Sequence, residues 1–204
     1  MWGTTQYTSW PLSEPLTHKI VSYLDIYRLL ITLILGAAYF TTVPDLLSLW
    51  SRSFFTSITL VIYIILAVVY LFRARASLVD IYRLAQVSLF TDVILLGLLV
   101  ILMSGIQNGI GILLVFTSGA AAIIMPLRNA LLIASIAAVS MAGAALASYF
   151  LRGADAPAVI QAGLFGMTAL VTAILANQVA YWARDYRLIA EKRKAALSEL
   201  EQAN

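Results

Sequence analysis

Among the side chains of this 204-residue chain that could do chemistry, Asp92 is the most informative. It lies inside the apolar run Leu84 to Met103, eight residues past the start of that run, and so about 12 Å along a helix at 1.5 Å per residue. A carboxylate that deep in an apolar medium is costly, so it must face the interior of a bundle and find a partner. Two readings stand side by side. In one, Asp92 contacts a ligand or a partner helix, or serves as a proton-linked switch. In the other, a protonated or hydrogen-bonded Asp92 pins its helix to a neighbour, with Asn177, Gln178, Gln161 or Thr117 as the receiving group. No Lys, Arg or His lies within one helical turn to neutralise it.

The other reactive residue types point away from catalysis. His18 is the single histidine and sits beside Lys19, so neither a histidine metal cluster nor a nucleophile–base pair can be assembled within one chain. The chain has no cysteine, which excludes disulfides, thiolate chemistry and Cys-ligated metals. Its acidic residues are scattered, without the paired aspartates that intramembrane hydrolysis would need. No catalytic residue, metal or cofactor is therefore expected. The turn Ser104-Gly-Ile-Gln-Asn-Gly-Ile-Gly111 is rich in glycine, and Gly105, Gly109 and Gly111 suit a tight reversal between helices. Lacking a Lys-Ser/Thr ending, it is not a phosphate loop. These three glycines, with Asp92, Asn177 and Gln178, form the candidate set for sensing a signal or partner.

The elements that position these residues follow from composition. The chain is 62% hydrophobic and 11% charged, with a mean hydropathy of +0.92, against roughly 45–50% apolar and 25% charged residues in soluble domains. Six apolar runs, Leu24 to Phe40, Phe54 to Phe72, Leu84 to Met103, Ile110 to Met125, Ala130 to Phe150 and Ala158 to Trp182, predict an all-α membrane bundle of about six spans. The fourth is the shortest. Short connections imply antiparallel neighbours. No removable signal peptide is expected. Eleven of the thirteen basic residues fall on one side of this layout, and Arg52 and Arg152 on the other, which predicts N-in and C-in termini. Boundary aromatics such as Tyr23, Tyr27, Trp50, Tyr149, Tyr181 and Trp182 read as interfacial anchors. Nucleic acid has no basic, aromatic-interleaved surface to bind, so membrane lipid is the expected environment.

Two finer patterns matter. Asp25-Ile-Tyr-Arg-Leu29 and Asp80-Ile-Tyr-Arg-Leu84 are identical, and both read as interfacial segments, with Arg snorkelling to headgroups and Asp near a helix N-terminus. Ala134, Ala138 and Ala142, with Gly163 and Gly166, predict close helix approach, either within the chain or against a foreign transmembrane helix.

Beyond Trp182 no Pro or Gly stops the last helix, which is expected to continue through Arg184-Asp-Tyr-Arg187 and Glu191-Lys-Arg-Lys194. Its stripe of Trp182, Tyr186, Ile189, Ala196 and Leu200, broken once by Arg193, is compatible with a short parallel coiled coil or with a solvated stop-transfer helix. The chain ends on Ser198-Glu-Leu-Glu-Gln-Ala-Asn204 without a cap, as a chain cut from a longer protein would. The expected organisation is a cytoplasmic segment 1–23, a six-helix domain 24–183 and a signalling helix 184–204.

Two stretches carry a family resemblance. Phe90-Thr-Asp92 through Met103-Ser-Gly-Ile-Gln-Asn-Gly-Ile-Gly-Ile-Leu-Leu114, together with the charged helix 184–204, resembles the membrane sensor region of PilS-type histidine kinases, which control type IV pilin transcription. This turn has Gly105 followed by Ile106 where the family usually has Gly-Gly. The resemblance implies a dimeric input module of a two-component system in the bacterial inner membrane. It also implies a pilin transmembrane helix as the signal, and an absent PAS and kinase part that autophosphorylates and passes phosphate to a response regulator. The competing readings are a small transporter or channel, a sensor for another output such as a cyclic-dinucleotide enzyme, and an anchoring subunit.

Overall fold

The computed structural model describes residues 14–42, 52–75, 80–103, 109–152 and 156–203. They form six helices: α1 Glu14–Thr42, α2 Arg52–Arg75, α3 Ile81–Leu102, α4 Ile110–Ile124, α5 Leu127–Arg152 and α6 Ala156–Ala203. No strand occurs among the described residues. Five of the helices are long and apolar enough to cross a membrane, and α4, at 15 residues, is shorter. Uniformly apolar sequence explains the class: with no water to satisfy backbone N–H and C=O groups, a helix that bonds them internally is the stable spanning form.

Helix ends are set locally. Asp80 caps α3 by accepting from the Tyr82 amide at 3.1 Å. Gly109, at φ 75°, occupies the left-handed region where the chain enters α4. Between α4 and α5 the chain spends two residues, Met125 and Pro126. Pro126 has no N–H to continue α4, and its carbonyl accepts from the amides of Asn129 and Ala130 as α5 begins. α1 starts at Glu14, well before the apolar run at Leu24, so residues expected at the interface are carried inside a span that begins at Thr17.

The bundle has two parts that meet on α3. Helices α4, α5 and α6 pack together most extensively, and α3 leans on α4 and α5. On its other side α3 meets α2, and α1 packs mainly on α2 with a lighter contact to α3. Small residues allow the closest approaches. A Cβ on Gly97 of α3 would lie 2.5 Å from Oγ and 2.9 Å from Cβ of Ser140 on α5, and one on Gly166 of α6 would lie 3.3 Å from the Ala138 Cβ of α5. Thus Ala134, Ala138 and Gly166 serve packing within the chain, whereas Ala142 and Gly163 face outward. The hydroxyls of Thr32, Thr59, Thr91, Thr117, Ser118 and Thr168 bond back to the preceding helical turn, which lets polar residues sit in an apolar medium. Leu33, Ile34, Ile65, Val139 and Leu175 form part of the exposed apolar exterior.

Candidate functional site

Asp92 is buried, and its partner is Arg28 of α1. The Arg28 Nε donates to Asp92 Oδ1 at 2.6 Å and to Oδ2 at 2.8 Å, while Nη2 donates to Oδ2 at 2.5 Å. The remaining fork nitrogen, Nη1, donates to Oδ1 of Asp25 at 2.5 Å. Asp25 and Arg28 are three residues apart on α1 and so share a face. Exposure falls to 1% for Asp25, 3% for Arg28 and 6% for Asp92, so the cluster is shielded from its surroundings.

Three further side chains lie around the guanidinium. Tyr70 of α2 lies under it, with the Arg28 Cζ 5.3 Å from the ring centroid, where the electron-rich face attracts a cation. The Tyr70 hydroxyl is 3.0 Å from Thr91 Oγ1 on α3, which fixes the ring. Tyr63, one face-repeat earlier on α2, lines the same small void as Arg28 and Asp92. Three helices thus converge on one charge. Charge-assisted, forked contacts of this kind are the strong ones, and burial makes them depend on every partner being present.

Depth explains the pairing. Arg28 lies eleven residues past Thr17, and Asp92 eleven past Ile81, the starts of their spans. At 1.5 Å per residue both lie about 16 Å along their helices from those starts. α1 and α3 are separated by one intervening helix and run in the same direction, so the two residues meet at the same level. Charge balance is incomplete, because two carboxylates face one guanidinium. Among the described residues, Asp25 Oδ2 is the one buried side-chain oxygen with no hydrogen-bond partner.

Two cavities flank the cluster. A void of about 20 Å³ touches Arg28, Tyr63, Asp92 and Thr117, and offers room for about one water. On its far side a groove of about 640 Å³ opens outward between α1, α4 and α6, lined by residues including Tyr23, Ile112, Gly119 and Ala176. Leu24, Tyr27 and Phe116 line both cavities. The Tyr27 and Phe116 rings, 4.5 Å apart at their centroids and tilted by 41°, stand between the groove and the ion cluster.

The structure corrects the interfacial reading of the first Asp-Ile-Tyr-Arg-Leu segment. Arg28 does not snorkel and Asp25 is not near a helix N-terminus, because α1 begins eleven residues before Asp25 and carries both inside the bundle. Nor is Tyr27 a boundary anchor. The second copy behaves as expected: Asp80 caps α3, and Arg83, with a side chain 83% exposed, lies 3.6 Å from it.

The remaining candidates are dispersed. Asn177 is buried but bonds other groups than Asp92: its Nδ2 donates to the carbonyls of Ala122 at 2.8 Å and Met125 at 3.0 Å, capping the C-terminal end of α4 from α6. Gln178 and Gln161 are exposed, and Thr117 reaches only the shared void. Gly109 and Gly111 shape the start of α4, and Gly105 lies outside the described residues, as does Trp50. Trp182, Tyr186, Ile189 and Ala196 are exposed on α6, and the side chain of Leu200 lies outside the described part. Among the described residues, no group of His, Cys, Asp and Glu could hold a metal ion.

Fold and site define a multi-pass α-helical membrane protein built around a buried ion cluster. The family model described as a PilS-like transmembrane domain matches residues 11–190, and the chain belongs to that family. No curated protein and no solved structure matches the chain significantly. The family assignment agrees with the six helices and with the resemblance found in the third and fourth spans.

Proposed function

We propose that this chain is the membrane-embedded input module of a sensor histidine kinase in the bacterial inner membrane. In this reading both termini are cytoplasmic, and α6 relays the signal to a kinase controlling pilin transcription. The observation that carries the reading is α6 itself. It runs as one helix of 48 residues, about 72 Å at 1.5 Å per residue, from its packing against α4 and α5 into the charged stretch Arg184 to Lys194. A helix far longer than a bilayer is thick, with no break at the boundary, can carry a shift from the bundle to a domain beyond it. The exposed stripe of Trp182, Tyr186, Ile189 and Ala196 supports pairing with a second copy along that segment.

The groove between α1, α4 and α6 is the face on which a partner transmembrane helix, a pilin helix in this reading, would dock. Its wall includes Gly119, Ala120 and Ala176, which permit close approach, and Tyr27 and Phe116 join it to the ion cluster. A docked helix that moved those rings would shift α1 against α3 and bias the bundle between two arrangements.

A transporter is the second reading, favoured by the convergence of Asp25, Arg28, Tyr63 and Asp92 at one level inside the bundle. Against it, α1, α2 and α3 are uninterrupted at that depth and the void beside the cluster holds about one water. Photo-crosslinking from Ile112 and Tyr23 in the full-length protein decides the matter. Capture of a pilin helix supports the sensor reading, as does a reading frame that continues past Asn204 into a kinase. Absence of both refutes it.

A further inference from the structure

We propose that the cluster of Asp25, Arg28 and Asp92 is a proton-binding site that holds one proton, on the free oxygen of Asp25. Arg28 spends Nε and Nη2 on Asp92 and Nη1 on Oδ1 of Asp25. Oδ2 of Asp25 is left bare, in a residue that is 99% removed from its surroundings. If both carboxylates were ionised, a unit negative charge would sit unbalanced about 12 Å inside the span that begins at Thr17.

Among the described residues, no other side chain supplies the missing positive charge. The groups that face the cluster are the phenols of Tyr63 and Tyr70 from α2, Asp92 and the Thr91 hydroxyl from α3, and the Tyr27 ring and Thr117 hydroxyl at the neighbouring void. None is a cation. Lys19 and Arg73 are exposed rather than turned inward. A metal ion does not fit, since such an ion draws on several oxygens and no suitable group of ligands exists among the described residues. A proton needs a single oxygen, and Oδ2 of Asp25 is that oxygen.

The proton count then follows the charge of the cluster. The native chain carries one. With Asp92→Asn it carries none, because Arg28 then balances an ionised Asp25. With Arg28→Gln it carries two, one on each acid.

The test is the infrared spectrum of the full-length protein in lipid nanodiscs at neutral pH, in H2O and D2O. The expected result is one carboxylic-acid C=O stretch, shifted down in D2O, that is lost in both Asp25→Asn and Asp92→Asn. Asp25→Asn replaces a protonated acid by a neutral group of the same shape, so its unfolding midpoint should stay near that of the native chain. A native spectrum without the acid band, a band that survives Asp25→Asn, or a large drop in the Asp25→Asn midpoint would each overturn the proposal.

Discussion

Replacing Arg28 with Gln should be among the most damaging single substitutions in this chain, because it strips the guanidinium that pairs with both acids of the site. Four charge-assisted hydrogen bonds disappear, three to Asp92 and one to Asp25. Breaking a buried pair by removing one partner costs about 3–5 kcal/mol, most of it the penalty of the group left behind. At roughly 2–4 °C per kcal/mol for a chain of this size, the unfolding midpoint should fall by about 6–20 °C. Asp92→Asn should cost less, about 2 kcal/mol, since Arg28 keeps Asp25 as its counter-charge and an amide oxygen can still accept one bond. The same exchange at Arg83, whose partner Asp80 is 3.6 Å away at the surface, should cost under about 0.5 kcal/mol. Unfolding of the purified protein in mixed micelles, followed by near-ultraviolet circular dichroism, measures all three. In a double-mutant cycle, Arg28→Gln and Asp92→Asn should couple by about 1–3 kcal/mol. If Arg28→Gln were no worse than Arg83→Gln, the buried cluster would not be what ties α1 to α3.

Three other outcomes follow from contacts elsewhere. Gly97→Ala should destabilise the bundle by about 1–3 kcal/mol through its clash with Ser140 and be rescued by Ser140→Gly, whereas Gly143→Ala, with open space around it, should be neutral in the same unfolding assay. Asn177→Leu should cost about 1–3 kcal/mol by leaving the Ala122 and Met125 carbonyls unpaired, while Gln178→Leu at its exposed neighbour changes little. Because the chain has no native cysteine, Thr117→Cys reports access to the void beside Asp92. Adding Phe116→Ala should raise its labelling rate about tenfold, equivalent to about 1.4 kcal/mol of barrier, and an unchanged rate would show that the Tyr27–Phe116 pair is not the partition.

Much of the fold was legible because the bilayer constrains sequence so directly. Six apolar runs gave six helices, with boundaries displaced mainly at α1, where Glu14 to Tyr23 joins the helix although its composition is mixed. The burial of Asp92 was also legible, since its depth in an apolar run already demands an inward-facing partner. The identity of that partner was not. The two copies of Asp-Ile-Tyr-Arg-Leu are identical, yet Arg83 is a surface residue and Arg28 is the centre of the site. A usable signal existed in the matched depths of Arg28 and Asp92, but it appears only when α1 is started at Thr17 rather than Leu24.

Asn177 shows the converse case. Its buried amide invited pairing with Asp92, and the crossing of α6 over the end of α4 gave it two backbone carbonyls instead. Sequence by itself determined the helical class, the number of helices, the position of Asp92 and the long polar extension of α6, because these depend on local hydropathy and on the absence of helix breakers. Tertiary structure decided which charges meet, which glycines are packed and which atom of Asp25 is left bare. Those outcomes depend on how helices distant in sequence rotate and slide against one another, and apolar runs of nearly uniform character carry almost no record of that rotation.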